Sequence, residues 1–331
     1  MMRKVPPLNV AQIGYGCMGL SHAYSHQPDE ASGINLIRDA VGLGVDHIDT
    51  ANLYGFGTNE ILVGKALQGL RDQVFLASKC GLTVTAADGS MTRGIDSTPE
   101  NIKRSCDGSL KRLGLESVDL YYLHRWDKTT PIEDAVGAMA ELVDEGKTRL
   151  IGLSEVSATT LRKANAVHPI AAIQCEYSLW TRNPEENGVL EACQELGIAL
   201  VCYSPVGRGF FANATVDTNT LEANDLRRNM PRFSPENLDK NKALRDEYLK
   251  IANEVGCTPS QLALAWLLSR PQTVYPIPGT TSLTHLQENI AAVDIELNPD
   301  VVTRLDSLFN SSTVSGNRYN ERTMAELEQP N

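Results

Sequence analysis

Four titratable side chains of different types stand at, or just after, the ends of three strand-like stretches of this sequence. Asp49 ends the run HID within HIDTANLY, and Tyr54 follows five residues later. Lys79 closes the run VFLASK, and His124 closes the run DLYYLH. A carboxylate, a phenol, an ammonium group and an imidazole can together transfer a proton, so we take these four residues as the candidate catalytic group.

The chemistry of this group depends on the phenol. Tyrosine is a poor acid near neutral pH, because its pKa is about 10, and lowering that value to about 7 requires roughly 4 kcal/mol of preferential stabilisation of the phenolate. We expect Lys79, itself kept charged by Asp49, to lower the pKa of Tyr54. His124 would then orient a carbonyl oxygen or share the proton. Such a group protonates an oxygen while another agent attacks the adjacent carbon.

The elements that must position these residues follow from the hydrophobic pattern. Apolar, β-branched runs alternate with helix-like segments, which is typical of parallel strands joined by helices. The predicted strands are residues 9–15, 47–50, 74–79, 119–124, 149–154, 171–176, 199–204 and 273–278. Eight such units favour a closed (β/α)8 TIM barrel over an open doubly wound sheet. In such a barrel, the active site lies at the C-terminal ends of the strands, which is where Asp49, Lys79 and His124 are located.

A glycine motif offers an alternative interpretation. GYGCMG at 14–19 matches G-x-G-x-x-G, but that fingerprint must open a helix that holds a pyrophosphate. Here helical periodicity resumes only near residue 29, and Asp49 lies 30 residues after Gly19, which is later than the motif requires. We therefore expect these glycines to let the first loop approach a ligand above the barrel.

The predicted domain is one barrel over residues 1–331, with a C-terminal helix and a long loop between strands 7 and 8. This loop, residues 206–238, has no clean periodicity and carries four arginines. Long irregular loops in compact domains are usually functional or disordered, so we expect this one to cover a cofactor or substrate. The polar C-terminal tail, residues 310–331, is expected to pack loosely.

Composition limits the partners. The 331 residues carry a net charge of −11, which disfavours nucleic acid and anionic membranes as partners. There is neither an apolar run long enough to span a membrane nor a signal-peptide core. Seven cysteines without C-x-x-C spacing favour reduced thiols, and the histidines lack metal-ligand spacing. We expect a cytoplasmic protein without a bound metal, a monomer by default, with a homo-oligomer as the alternative.

The motifs resemble one family. DTANLY (49–54), Lys79 within ASKCG and His124 within YYLHRWD resemble the catalytic tetrad of the aldo-keto reductase superfamily, and the resemblance extends over roughly residues 8–309. HRWD and YSPVGRGF are most similar to the branch that contains pyridoxal reductases and perakine reductase. The resemblance implies a (β/α)8 barrel that binds a nicotinamide cofactor, usually NADPH. It also implies that Tyr54 is the general acid, Asp49 and Lys79 tune it, and His124 orients the carbonyl.

The same resemblance implies a set of cofactor contacts. Ser154, Glu155 and Gln174 would hold the carboxamide, and Tyr203 would stack on the nicotinamide ring. The other positions are Ser204, Pro205, Val206, Gly207, Arg208 and Gly209 along the pyrophosphate, and Gly279, Thr280, Thr281, Ser282, His285, Glu288 and Asn289 at the adenosine end. Independently, a helix that begins near Thr281 or Ser282 would offer backbone N–H groups to a phosphate.

Three positions depart from the family pattern. Glu155 stands where asparagine is common, Gly279 replaces a lysine, and His285 replaces an arginine that pairs with the 2′-phosphate of NADPH. The loss of two cations leaves NADH use possible. Our hypothesis is that an arginine of the long loop (Arg227, Arg228 or Arg232) substitutes, assisted by protonated His285.

A substrate pocket is predicted from apolar residues on loops at the catalytic end, with ordinary loop packing as the alternative. They are Met18, Phe56, Trp126, Trp180, Phe210 and Phe211. The predicted function is NADPH-dependent reduction of a small-molecule aldehyde or ketone to an alcohol. The alternative is a regulatory subunit that binds a nicotinamide nucleotide on the same barrel, as potassium-channel β subunits do. Fold and tetrad do not select one carbonyl compound, because such pockets are built from variable loops.

Overall fold

The computed structural model describes residues 4–87, 90–214 and 216–328. In that part of the chain, eight parallel strands form one sheet in chain order. They are β1 (Tyr15–Gly16), β2 (His47–Asp49), β3 (Phe75–Cys80), β4 (Val118–Leu123), β5 (Thr148–Ser154), β6 (Ala172–Glu176), β7 (Ala199–Tyr203) and β8 (Val274–Pro276). The sheet closes on itself, because Gly14 N donates to Pro276 O at 3.0 Å and Gly16 N donates to Pro278 O at 3.3 Å. The predicted (β/α)8 TIM barrel is confirmed.

Helices lie around the barrel, and most of them bury apolar residues against it. They are α1 (Glu30–Gly42), α2 (Thr58–Ala66), α3 (Pro99–Leu113), α4 (Ile132–Asp144), α5 (Ala158–Val167), α6 (Asn183–Glu186), α7 (Val189–Leu196), α8 (Pro235–Val255), α9 (Pro259–Leu268), α10 (Leu283–Ala291), α11 (Pro299–Leu308) and α12 (Glu321–Glu326). Thr98, Ser157, Ser234 and Thr258 cap helix N-termini with side-chain oxygens. Among the described helices, none is long and apolar enough to cross a membrane.

The alternation of side chains along each strand positions the site. Ala77, Tyr122, Ala172 and Val201 belong to a small buried cluster separate from the main core, whereas their strand neighbours, such as Leu76 and Tyr121, pack in the main core. Successive strand residues point to opposite faces, so the small cluster fills the barrel interior. Two residues further along the same strands come the predicted site residues Lys79, His124, Gln174 and Tyr203. The barrel therefore directs them inward at its C-terminal end.

The structure differs from the prediction at short hairpins. Val10–Ala11 pairs antiparallel with Lys4–Val5, so Tyr15 alone of the predicted strand 9–15 belongs to the barrel strand, which extends to Gly16. A second hairpin, Leu82–Ala87 with Ser90–Ile95, follows β3 and was not predicted.

The long loop is partly structured. Within 206–238 it contains the 3₁₀ turns Gly207–Gly209, Leu226–Asn229 and Pro231–Phe233, and α8 already begins at Pro235.

The expectation of a loosely packed tail is wrong. The Glu328 carboxylate accepts hydrogen bonds from Ser157 N at 2.8 Å and from Thr160 Oγ1 at 2.7 Å. Lys128 Nζ donates to Leu327 O at 2.7 Å. Leu327 is buried, and Val314 and Tyr319 pack against the main core, so polar and apolar contacts together hold the segment against the barrel. Residues 329–331 lie outside the described part of the tail.

Candidate active site

The four predicted catalytic residues meet at the C-terminal end of the barrel. The fully buried Lys79 ammonium donates to the Asp49 carboxylate. It also donates to Thr50 O at 2.8 Å and to the Tyr54 hydroxyl at 3.3 Å. The rings of Tyr54 and His124 lie edge to face, with centroids 5.9 Å apart. The sequence prediction of one cluster thus has a direct structural counterpart.

A tight turn after β2 brings the phenol back over the barrel. Tyr54 opens a 3₁₀ turn, and its N–H donates to Ala51 O at 3.2 Å. The turn uses left-handed backbone at Gly55 (φ 54°), Phe56 (φ 54°) and Gly57 (φ 93°). Glycine adopts this conformation without strain, whereas a non-glycine residue there costs on the order of 1–3 kcal/mol. The segment YGFG therefore has the composition that this turn requires, apart from the strained Phe56.

The pKa of the Tyr54 phenol differs from the prediction. Burial raises the pKa of Tyr54 above its ordinary value, and the opposing influence of the Lys79 ammonium does not outweigh it. The expected lowering of this pKa is therefore wrong. Burial opposes the charge of Lys79, but Asp49 and Tyr54 raise its pKa overall. Burial, Lys79 and Arg125 lower the pKa of His124 far below its ordinary value. At neutral pH the site holds a protonated phenol, an ammonium group and a neutral imidazole.

Two residues predicted to hold the carboxamide also form hydrogen bonds around the tetrad. Gln174 Nε2 donates to Asp49 Oδ2 at 2.8 Å, so both carboxylate oxygens of Asp49 have donors. Ser154 Oγ accepts a hydrogen bond from Arg125 Nη1 at 3.1 Å, and the same nitrogen donates to His124 O at 2.7 Å. These contacts hold Asp49 and the His124 backbone in place.

One cavity of about 1070 Å³ opens over this cluster. Asp49, Tyr54 and His124 line it, and Lys79 lies behind them. Ten of the predicted cofactor residues line it too: Gln174, Tyr203, Ser204, Pro205, Val206, Arg208, Gly209, Gly279, Thr280 and Thr281. The lining does not include Ser154, Glu155, Gly207, Ser282, His285, Glu288 or Asn289. The tetrad and most of the pyrophosphate segment therefore share one space.

The cavity has the features that a dinucleotide needs. At the barrel seam, a Cβ on Gly16 would lie 2.9 Å from Ile277 O, and a Cβ on Gly279 would lie 2.8 Å from Gly16 O. Only glycine fits at these two positions, because the seam of the barrel itself, rather than a ligand, fills the space; a Cβ on Gly19 would meet only Tyr24, at 3.6 Å. Ser282 caps α10 by accepting from His285 N at 3.4 Å, so a helix N-terminus adjoins the predicted phosphate segment. Tyr203 and Arg208 add an aromatic face and a cation.

Glu155 is engaged by the protein rather than open to the cavity. Its Oε1 accepts from Glu176 N at 2.8 Å, Tyr203 OH at 2.8 Å and Arg318 Nη1 at 2.9 Å. Its Oε2 accepts from Arg318 Nη2 at 2.6 Å. Burial would raise the pKa of Glu155, but Arg318 and Arg125 outweigh it and lower the pKa to about 2. The carboxylate is an ion-pair partner, which accounts for the departure from asparagine at this position.

The C-terminal tail supplies residues that the sequence did not indicate. The Tyr319 hydroxyl lies 3.0 Å from Tyr203 OH and accepts from Arg208 Nη2 at 2.8 Å. Tyr319 lines the cavity, and Arg318 reaches Glu155 across 163 residues of sequence. The only local signal is an adjacent arginine and tyrosine in an otherwise polar tail, and nothing in it identifies their partners.

Two of the six residues predicted to form a substrate pocket line the cavity. Met18 and Phe56 line the cavity, whereas Trp126, Trp180, Phe210 and Phe211 do not. The Trp126 indole donates to Thr130 O at 2.7 Å within its own loop. Phe210 stacks on Trp180 with centroids 3.9 Å apart, and Phe211 packs in the core. These aromatic residues anchor loops because burying their rings stabilises the fold more than exposing them would. His22, Tyr24, Leu226 and Met230 line the cavity instead.

The loop arginines have separate positions. Arg227 lines the main cavity, paired with Asp225 at 2.7 Å and placed 5.1 Å from the centre of the Tyr24 ring. Arg228 donates to Leu221 O at 2.7 Å and is not part of the lining. Arg232 lines a second cavity. Of the three candidates for a phosphate contact, Arg227 is the one beside the main cavity.

Comparisons with known proteins agree with this geometry. A model of the aldo/keto reductase family matches residues 12–310. Probable aldo-keto reductase 1 of Glycine max is 44% identical over 311 residues, which covers 94% of this chain and 88% of that protein. A glycerol dehydrogenase from Gluconobacter oxydans superposes with a TM-score of 0.81 at 26% identity, over 93% of this chain and 94% of that chain. An aldo/keto reductase from Klebsiella pneumoniae, solved with NADP and acetate, gives a TM-score of 0.73 at 26% identity, over 97% and 99% of the two chains. The resemblance seen in the sequence is confirmed: this chain is an oxidoreductase of the aldo/keto reductase family.

Proposed function

We propose that this protein reduces a small-molecule aldehyde or ketone to an alcohol with NADPH, and that Tyr54 is the proton donor. The observation that carries the proposal is the contact between the Tyr54 hydroxyl and the Lys79 ammonium, 3.3 Å apart, beside a cavity lined by Tyr54 and His124. The same cavity contains most of the residues predicted to hold a nicotinamide dinucleotide. When bound, that cofactor supplies a hydride to the carbonyl carbon.

Tyr54 has the protonation state that this reaction needs. Because its pKa lies above the ordinary value, the phenol is protonated at neutral pH and can donate. As the carbonyl oxygen gains negative charge it becomes far more basic than a phenolate, so proton transfer from Tyr54 is favourable. Lys79 stabilises the phenolate that remains, and Asp49 keeps Lys79 charged. Neutral His124 can donate a hydrogen bond to the same carbonyl oxygen.

Different residues would bind the nicotinamide ring, the pyrophosphate and the 2′-phosphate of the cofactor. Tyr203 offers a flat face for the nicotinamide ring, and its hydroxyl is held by Glu155 and Tyr319. Backbone along 204–209 and the α10 N-terminus suit the phosphates. Arg227 is the candidate for the 2′-phosphate of NADPH. NADP bound to the related Klebsiella pneumoniae protein supports this cofactor class.

A carbonyl panel tests the proposal. Purified protein is assayed with aromatic, aliphatic, sugar and steroid carbonyl compounds, using NADPH and NADH separately. Tyr54→Phe should retain cofactor affinity, measured by fluorescence titration, and lose about 10²–10⁴-fold in kcat. Tyr24→Phe is the matched control, because it also removes a hydroxyl from a tyrosine that lines the cavity.

Near-normal turnover by Tyr54→Phe would refute the catalytic assignment. Tight NADPH binding without turnover of any carbonyl compound would instead favour the regulatory alternative.

A further inference from the structure

A second cavity, of about 350 Å³, lies between the segment after β6 and the C-terminal tail. Three arginines line it (Arg182, Arg232 and Arg318), together with Trp180, Asn317 and one carboxylate, Glu186. Neither the tetrad nor any residue lining the main cavity contributes to it. The cavity lined by these arginines has no role in the proposed carbonyl reduction.

The charge of Arg232 is poorly compensated. Arg182 is paired with Glu185 and Asp306, and Arg318 is paired with Glu155. Arg232, in contrast, forms no ion pair with any described residue. Its Nη1 donates to Thr181 Oγ1 at 2.6 Å and its Nε donates to Gly316 O at 3.1 Å, both neutral acceptors.

The surroundings of Arg232 disfavour its charge. Burial lowers its pKa to about 10, with Arg318 and Arg208 acting in the same direction and Glu176 opposing them. The guanidinium also lies 5.3 Å from the centre of the Trp180 ring. Arg232 is partly buried, and a cation that is partly removed from water without a counter-charge is unfavourable, so an anion at this position would stabilise it.

Two side chains that line this cavity also carry a buried N–H group without an acceptor. Within the described structure, the buried Arg318 Nε and Trp180 Nε1 have no hydrogen-bond partner. A buried N–H group without an acceptor costs about 1–3 kcal/mol. Charge and donors together match an oxyanion, because the planar arginine fork binds carboxylate and phosphate oxygens in pairs.

We propose that the second cavity binds a small oxyanion, a phosphate or a carboxylate, with Arg232 as its principal partner and Arg318 as the second cation. Glu186 opposes binding from the same lining. The second cavity shares no lining residue with the main cavity, so both can be occupied together.

Melting temperature tests the proposal. NADPH-saturated protein is titrated with inorganic phosphate and, separately, with acetate, at constant ionic strength set with chloride. Saturating NADPH occupies the phosphate positions of the main cavity, so a further rise in Tm with anion concentration reports the second cavity. We expect this rise in the wild type with at least one anion, and which anion acts identifies phosphate or carboxylate.

Variants provide the controls. Arg232→Gln should abolish the rise, whereas Arg162→Gln should keep it, because Arg162 is an exposed arginine paired with Glu195 outside both cavities. No rise in the wild type, or an equal rise in Arg232→Gln, overturns the proposal. If Arg232→Gln does not fold, anion binding is measured on Glu186→Gln, which removes the carboxylate that lines the cavity. Severalfold tighter anion binding by this variant supports the proposal, and unchanged or weaker binding overturns it.

Discussion

Replacing Arg318 with glutamine tests how the C-terminal tail is joined to the cofactor cavity. In the wild type, Arg318 neutralises the buried Glu155 carboxylate through two hydrogen bonds of 2.9 and 2.6 Å. The pKa of Glu155 is about 2, against about 4.3 for an unperturbed glutamate, which corresponds to roughly 3 kcal/mol of stability. Removing one partner of a buried ion pair typically costs about 3–5 kcal/mol. The two values agree, so we expect Arg318→Gln to lose about 3 kcal/mol at pH 7.

The sign of the pH dependence follows from the depressed pKa. The stabilisation by ionised Glu155 is fully present above its unfolded pKa, about 4.3, and is lost as pH falls through the folded value of about 2. The deficit of the variant should therefore be constant between about pH 6 and pH 8. Tyr203 also depends on Glu155 and Tyr319 for its hydroxyl contacts, so NADPH affinity should fall together with stability.

Urea unfolding of the single variants and of the double variant Glu155→Gln/Arg318→Gln measures the effect. The double variant should lose less than the sum of the single losses, because no buried charge is left unpaired. Arg304→Gln, which breaks an exposed ion pair with Glu254, is the control and should shift the midpoint little. Additive losses, or a loss below about 1 kcal/mol for Arg318→Gln, would contradict a buried pair that organises the tail.

Three further predictions concern the reaction and its cofactor. Burial keeps the pKa of Tyr54 above its ordinary value. The rate of carbonyl reduction should therefore not change with Tyr54 ionisation between about pH 6 and 9, whereas the rate of alcohol oxidation, which needs the phenolate, should rise over that range. Measured pH–rate profiles in both directions check this, and a reduction rate that falls between about pH 7 and 8 would contradict it. Lys79→Met leaves the buried Asp49 carboxylate without a counter-charge, so we expect a stability loss of about 3–5 kcal/mol in urea unfolding. We also expect a fall in kcat larger than the change in KM, and an unchanged kcat would contradict the role of Lys79. Arg227→Gln should weaken NADPH binding by about tenfold or more and leave NADH binding unchanged, as measured by fluorescence titration; equal losses for both cofactors would argue against a contact with the 2′-phosphate.

The sequence was most informative where the signal was local and periodic. Alternating strand and helix patterns predicted the barrel, and residues two positions beyond inward-facing strand residues, such as Lys79 and Gln174, necessarily point into its C-terminal end. The first strand was misplaced because Tyr15–Gly16 is too short to show a period, and it adjoins an equally short hairpin strand. Loop aromatic residues were assigned to the wrong environment because a large apolar side chain suits a pocket wall and a buried core equally well.

Contacts between segments that are distant in the chain cannot be predicted from local sequence patterns. Glu155 was recognised as unusual, but its partner Arg318 lies 163 residues away in a polar tail without periodicity. The pKa of Tyr54 was predicted in the wrong direction because the sequence shows that a lysine is present but not how deeply the phenol is buried. Burial and pairing depend on the folded structure, and no local pattern encodes them.

The most direct test of the central claim follows a hydrogen isotope through one turnover. Protein is mixed with a carbonyl compound found active in the panel and with NADPH in which deuterium replaces both hydrogens at C4 of the nicotinamide ring, and the alcohol is analysed by mass spectrometry. We predict deuterium on the carbinol carbon, with its yield in a single turnover reduced by about 10²-fold or more in Tyr54→Phe at equal cofactor occupancy. Alcohol without deuterium at that carbon, or equal yield from Tyr54→Phe, would contradict carbonyl reduction with Tyr54 as the proton donor.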